Sequence, residues 1–354
     1  MPTHPRTVPA RLAPLASLFL FLLAVSAWAA APAPMAVKVV IVATFEVGAD
    51  TGDKPGEFQY WVEREHLDQT ISVPGVDHVV RTDGKGVLGV VSGTTVRSSN
   101  QIMALVLDPR FDFSHAYWLF NGIGGTDPAD ASIGSAAWAR YVVDGDIAYE
   151  VDSREAPAAW PYGIVVIGAK EPNVMPPPQG WEPDKMSFEL NPALVAKAFA
   201  LTKDVPLMDT PEMQAYRATY VGFPNAQKPP FVMLGEVLGS CRYWHGVTMT
   251  RWANDWVKLH TGGKGEFVMT AMEDQGVATA LFSLAKMGKV DFQRVLFLRT
   301  ASNYCMPAPK QGVVDSLTAE YAGGLPAFDS AWRVGTVVLH DILNHWDQYA
   351  AKAP

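Results

Sequence analysis

Apolar positions along this chain come in two recurring forms. The first is the short unbroken run. Val37-Lys38-Val39-Val40-Ile41-Val42-Ala43 is β-branched and lacks polar alternation, which suits a strand covered on both faces of a sheet. Gly86–Ser92, Ala116–Phe120, Tyr162–Gly168, Phe231–Val237, Phe267–Ala271 and Arg294–Ala301 read as further strands. Arg140–Tyr149 predicts a strand or two around a turn at Asp144-Gly145. The second form is helical spacing. Ser98–Leu107 puts Ile102, Leu105 and Val106 on one face, and Thr250–His260 does so with Trp252, Trp256 and Leu259. Pro192–Thr202, Pro211–Tyr220, Asp274–Met287 and Ala331–Tyr349 complete the predicted helices. Lys170–Asp184 is rich in Pro and Gly and reads as an irregular surface loop; Lys228-Pro229-Pro230 marks a turn. Strands and helices alternate throughout. That predicts an α/β fold, a mixed β-sheet flanked by helices, in a single domain without internal repeats.

One apolar run differs from the rest. Arg6 and Arg11 precede Leu12–Val25, and Ser26-Ala27-Trp28-Ala29 follows with small residues at alternate positions. A basic start, an apolar middle and a small-residue end read as a signal peptide over residues 1–29, the alternative being an uncleaved N-terminal anchor, followed by a linker at 30–36 and a domain from 37 to 354. Beyond residue 36 no uncharged stretch approaches the roughly 20 apolar residues of a spanning helix. The 49% hydrophobic content therefore points to an export signal plus a doubly covered sheet, not to a membrane channel. The expected location is periplasmic or secreted. With 28 Lys+Arg against 36 Asp+Glu, the chain is too acidic for a general nucleic-acid binder. Cys241 and Cys305 could pair in an oxidising compartment, and their spacing leaves the question open. No C-x-x-C or H-E-x-x-H spacing occurs, so no metal is expected: His340 and His345 beside Asp341 read as solvent-facing or capping, and Glu63–His66 as a solvated helix face.

In sheets of this class ligands gather at the carboxyl ends of strands. Four segments qualify. Thr44-Phe45-Glu46 follows the first strand. Ser92-Gly93-Thr94-Thr95 follows the second, offers backbone and hydroxyl donors to an anion or a water, and has Arg97 close behind. Asn121-Gly122-Ile123-Gly124-Gly125 would let the backbone approach a ligand closely, although an ordinary tight turn accounts for it equally well. It lacks the G-x-G-x-x-G spacing of a dinucleotide site. Met272-Glu273-Asp274 places carboxylates between a strand and a helix N-terminus, where a vicinal diol or simply the helix dipole could be served. Asn303, closing Arg299–Asn303, presents an amide that both donates and accepts. Tyr243-Trp244 offers aromatic faces, to a base or to the core.

The order of these segments resembles the nucleoside phosphorylase superfamily, most closely the family called purine nucleoside permeases. The resemblance covers about residues 37–349. It implies a nucleoside phosphorylase-like domain that recognises purine nucleosides and cleaves the N-glycosidic bond by phosphorolysis or hydrolysis, or else only binds nucleoside to assist uptake. Met272 and Glu273 are similar to the Met-Glu pair that holds ribose hydroxyls. Arg299–Asn303 looks like an R-x-x-S-D segment with Asn in place of Asp. The resemblance implies that Asn303 bonds the purine near N7, and because an amide is no general acid it points to 6-oxopurines. Asn121, Gly122, Tyr243 and Trp244 would then line the base, and Ser92, Gly93, Thr94 and Arg97 would meet phosphate or water. Glu46 could orient that water. No cofactor is implied, phosphate is a possible co-substrate, and relatives often complete the site from a second copy.

Overall fold

The computed structural model describes residues 1, 33–177, 185–319 and 324–354. The expected signal segment and positions 178–184 of the Pro/Gly-rich loop lie outside the described residues. Twelve strands form the main sheet. In chain order they are β1 (Val39–Ala43), β2 (Gln69–Ile71), β3 (Val80–Thr82), β4 (Val87–Val91), β5 (Tyr117–Thr126) and β6 (Ala136–Trp138). Then come β7 (Tyr141–Asp144), β8 (Ser187–Glu189), β9 (Val232–Leu234), β10 (Glu236–Gly239), β11 (Phe267–Ala271) and β12 (Val295–Tyr304). The flanking helices are α1 (Gln59–Arg64), α2 (Arg97–Leu107), α3 (Pro192–Thr202), α4 (Pro211–Ala218), α5 (Val247–His260), α6 (Asp274–Lys286), α7 (Val313–Leu317), α8 (Leu325–Asn344) and α9 (Trp346–Ala351). The architecture is the mixed, helix-flanked α/β sheet that the alternation predicts.

The sheet path runs β8-β7-β10-β11-β5-β1-β4-β3-β2, with β12 on β5, and β6 linking β12 to β9. β1 is parallel to β4 and β5, and all five of its residues are buried, as its lack of polar alternation demands. β5 is the organising strand. Its first half, Tyr117–Phe120, lies between β1 and β12. Past Phe120, β1 has ended, and β11 meets β5 only at the Met269–Thr126 pair. The gap between β1 and β11 is where the cleft opens.

Several predicted boundaries move, each for a physical reason. Asn121–Gly125 is strand, not loop: β5 continues to Thr126 because β12 stays paired with it that far, through an irregularity between Ala301 and Asn303. Glycine is required there by crowding. A Cβ on Gly124 would lie 2.1 Å from the carbonyl oxygen of Thr270. The predicted Phe231–Val237 strand is divided at Gly235, where a Cβ would lie 2.3 Å from a Val268 methyl, so β9 joins β6 and β10 joins β7 and β11. Within Tyr162–Gly168 only Ile164–Val165 is strand, in a two-stranded ribbon with Tyr149–Glu150 outside the main sheet. The terminal helix starts earlier and breaks at His345 into α8 and α9. Short α1, β2, β3, β6 and α7 carry too little periodicity to be seen in the sequence. Among the described residues no helix is long and apolar enough to cross a membrane.

Helix α1 is short but firmly seated. Trp61 is fully buried and its Nε1 donates to Asn121 Oδ1 at 2.9 Å; Asn121 Nδ2 in turn donates to the Val42 carbonyl at 3.0 Å. Gly335 of α8 leaves room for the Trp61 ring, since a Cβ there would come within 2.6 Å of it. The Arg64 guanidinium lies 3.8 Å from the Tyr60 ring and 4.3 Å from that of Trp332, and it bonds Asp329 at 3.1 Å. Glu65, expected in solvent, accepts from Trp332 Nε1 at 2.9 Å and Thr336 Oγ1 at 2.6 Å, and it faces His340 Nε2 at 2.8 Å. Through these contacts α1 is fixed to β1, β5 and α8, and so is the loop that leads into it.

Candidate functional site

A cavity of about 220 Å³ opens in the gap between β1 and β11. Thr44 and Phe45 enter from the end of β1, Thr94 from beyond β4, and Ile123 and Gly124 from β5. Thr270 and Ala271 close β11 and lead into Met272 and Glu273; Ser302 and Asn303 come from β12. Glu57 enters from the loop before α1, and Arg242, Tyr243 and Trp244 lie on the opposite segment. The wall is thus built where the carboxyl ends of β1, β4, β11 and β12 meet the second half of β5.

Beneath one wall lies a buried charge cluster. Arg299 is fully buried and pairs with two carboxylates, while a third, Glu57, feels its charge without bonding it. It donates to Glu273 Oε1 and Asp274 Oδ1, reaches Asp274 Oδ2 from Nε at 3.1 Å, and gives its remaining arm to the Ile123 carbonyl at 2.8 Å. Its guanidinium lies 4.9 Å from the Phe120 ring. Glu57 is the third carboxylate. One of its oxygens accepts from Ile123 N at 2.7 Å; the other accepts from Thr44 N at 2.8 Å and Thr44 Oγ1 at 2.6 Å. Gly122 passes between them: a Cβ there would meet both Arg299 Nη1, at 2.4 Å, and Glu57 Oε1, at 2.8 Å.

One guanidinium cannot neutralise three carboxylates, and water is excluded. Burial therefore pushes all three up: Glu57 and Asp274 above the usual carboxylate range, and Glu273 to about 8, against the opposing pull of Arg299. The neighbouring Asp274 and Glu57 charges add to the rise at Glu273. Arg299 itself is held firmly protonated by Asp274 and Glu273, which outweigh its desolvation. The cluster can hold a proton near neutrality and release it to, or take it from, something in the cleft.

The opposite wall carries a chain of donors. Ser302 Oγ donates to Asn303 Oδ1 at 3.0 Å, and Asn303 Nδ2 donates to Tyr243 Oη at 3.0 Å and to the Tyr304 carbonyl at 3.0 Å. With its oxygen accepting from Asn303, the Tyr243 hydroxyl has its own proton free to point elsewhere. Arg242, the remaining cation of the lining, is paired with Glu150.

The residues singled out in the sequence divide into two groups. Met272, Glu273, Asn303, Tyr243, Trp244 and Thr94 all line the cleft. The others do not. Glu46 turns away from it: its carboxylate accepts from the backbone N–H groups of Val47, Gly56, Phe58 and Gln59. Asn121 is wholly buried, bonded to Trp61 and Val42. Gly122 is one residue short of the lining and abuts the charge cluster. Ser92 is buried and bonds the Gly93 carbonyl at 3.2 Å, Gly93 turns at φ +74°, and Arg97 is exposed at the start of α2. Sequence reasoning missed Glu57 as a site residue. It sits in a loop whose path depends on contacts made by Glu46, and its only local signal is Gly56 before it and an apolar turn after. Cys241 and Cys305 are both free thiols.

This sheet with its helices is the nucleoside phosphorylase fold. The chain aligns with the Helicobacter pylori 5′-methylthioadenosine/S-adenosylhomocysteine nucleosidase at a TM-score of 0.51 and 14% identity, covering 87% of this chain and 98% of that one. A futalosine hydrolase from the same organism gives a TM-score of 0.50 at 13% identity, with 87% and 98% covered. The particular family follows from the sequence. The model of the purine nucleoside permease (NUP) family matches residues 36–354, and the chain belongs to that family. It is 27% identical over 297 residues to the purine nucleoside permease of Candida albicans, covering 81% of this chain and 72% of that protein. It is 29% identical over 259 residues to a probable purine nucleoside permease of Schizosaccharomyces pombe, covering 71% and 74%.

Proposed function

We propose that this protein hydrolyses the N-glycosidic bond of purine ribonucleosides, with Glu57 as the group that holds and deprotonates the attacking water. The observation that carries this reading is the Glu57 carboxylate in the cleft wall, fixed by Thr44 and Ile123 beside the Glu273–Arg299–Asp274 cluster. A carboxylate raised by burial is a better base near neutrality than one in water. In this reading Met272 packs on the ribose and Glu273 accepts from its hydroxyls. The bond from C1′ to the purine breaks with charge building on the base. The chain Ser302–Asn303–Tyr243 directs a hydroxyl proton at a ring nitrogen, and each link polarises the next. Glu57 takes one proton from the attacking water and returns it to solvent, and the departing purine anion, held by the Tyr243 hydroxyl, takes one from solvent, so ribose and neutral base leave. An amide at Asn303 stabilises a base without protonating it, which favours 6-oxopurines.

Water is preferred over phosphate on electrostatic grounds. Phosphate sites need guanidinium forks. Among the described lining residues the cation is Arg242, already paired, while the floor presents carboxylates that would repel a dianion. Export is proposed on the strength of the residue 1–29 pattern alone. A non-catalytic nucleoside-binding role is the second reading, favoured by the permease names of the relatives. Base release separates the two: purified protein is incubated with inosine, guanosine and adenosine, with and without phosphate. Nucleoside binding without release under any condition would sink the hydrolase.

A further inference from the structure

Glu46 and Glu57 sit in one loop, and only Glu57 reaches the cleft. We propose that Glu46 is a positioning residue: its carboxylate gathers the loop's backbone so that the Glu57 side chain is delivered to the water site. The inference rests on the reading of Glu57 given above.

Four backbone N–H groups converge on Glu46. Oε1 accepts from Val47 N at 2.7 Å and from Gly56 N; Oε2 accepts from Phe58 N at 2.8 Å and Gln59 N at 2.6 Å. The bonded residues bracket Glu57 on both sides. They also satisfy donors at the start of α1, which has no side-chain cap from Phe58. Gly56 leaves no slack: a Cβ there would lie 2.7 Å from Glu46 Oε1 and 2.9 Å from Val47 N. The outer part of the loop has separate ties. Asp53 holds Ala49 N at 2.9 Å, Glu63 holds Gly52 N at 2.8 Å, and Asp50 pairs with Arg81 at 2.6 Å. Those contacts brace the outer loop, and Gln59 Nε2 joins them at the Asp53 carbonyl and Glu63 Oε1, at 3.2 and 2.9 Å. With its own backbone so held, Glu57 can span to Thr44 and Ile123, a residue of a different strand.

The test exploits that reach. In Glu46→Gln the length is kept, but one acceptor becomes an NH₂ facing two backbone donors. In Gly56→Ala the loop is pushed outward and both carboxylates stay. Amide hydrogen exchange of the full chain is compared with that of Glu57→Gln, and base release is followed in parallel. Both loop variants should speed exchange at Ile123 and Thr44 by about tenfold, the signature of a lost charged hydrogen bond, while the rest of β5 stays protected. Release should slow at least about tenfold through kcat with KM nearly unchanged, and Glu46→Gln should add nothing in a Glu57→Gln background. Faster exchange confined to Val47–Gln59, with Ile123 unchanged in both loop variants, would overturn the proposal, as would additive rate losses in the double variant. If Glu57→Gln keeps full release, the hydrolase reading of Glu57 fails, and the exchange result at Ile123 still decides whether Glu46 positions that side chain.

Discussion

At the scale of single residues, two side chains of the same type do opposite work because of where their oxygens point. Glu46 spends its acceptors on backbone; Glu57 keeps its carboxylate at the cleft. Glu57→Gln should therefore lower base release by about a hundredfold or more, the usual worth of a general base, with nucleoside affinity changed little; isothermal titration and single-turnover rates check both halves. The pH profile follows with a definite sign. In the proposed hydrolysis Glu57 works deprotonated, and burial raises its pKa, so activity should climb as pH rises through a value above the usual 4.5 and be lost below it. Because Glu57, Glu273 and Asp274 share Arg299, the limb belongs to the cluster as a unit. Glu273→Ala should abolish the preference for nucleoside over free base, and an unchanged preference would remove Glu273 from the ribose. Asn303→Asp supplies a titratable acid and should shift preference toward adenosine. At this scale Met272, Glu273 and Asn303 were legible because each lies next to a recognisable strand end. Glu57 was not, since its role depends on hydrogen bonds closed across 13 and 66 residues of chain.

At the scale of elements, α1 is what turns a loop into a wall of the site. It is too short to be stable alone. Its seat is the Trp61–Asn121–Val42 chain of hydrogen bonds together with the Trp61 ring against Gly335. Trp61→Ala should cost about 3–5 kcal/mol by lost burial and cavity formation, read as a shift in the urea midpoint; a loss under about 1 kcal/mol would show that α1 is not part of the cooperative core. Of the strands with all positions buried, β1 and β4 are visible in the sequence as β-branched runs. The continuation of β5 and β12 through Asn121–Gly125 and Arg299–Tyr304 was not. Those stretches read as turns because they carry Gly and Asn, and the pairing that keeps them extended is with each other, across about 180 residues of sequence. Glycine there answers crowding between strands, not turning.

At the scale of the whole molecule, burial of acids sets the response to pH. Glu236 and Asp130 are pushed to about 7, Asp144 to about 6 and Glu273 to about 8, each mainly by desolvation. The folded state binds these protons more tightly than the unfolded chain, so their stabilising effect is complete below the free carboxylate value and is lost as pH rises through 6–8. His260, lowered to about 4 by burial, acts in the opposite sense as pH falls below 6.5. Between pH 8.5 and 6.5 the carboxylates dominate, and the thermal midpoint should rise as pH is lowered across that range; a flat or falling midpoint would contradict it. Of these, Glu273 lines the cleft with Glu57, and in the proposed hydrolysis that acidic floor accepts ribose hydroxyls and water more readily than phosphate. The most direct test of that claim is to incubate the purified protein with inosine in phosphate-free buffer and measure free ribose and hypoxanthine. Equal amounts of both are expected, at a rate that added phosphate leaves unchanged. Release that appears only with phosphate and yields ribose 1-phosphate, or no release at all, would contradict it.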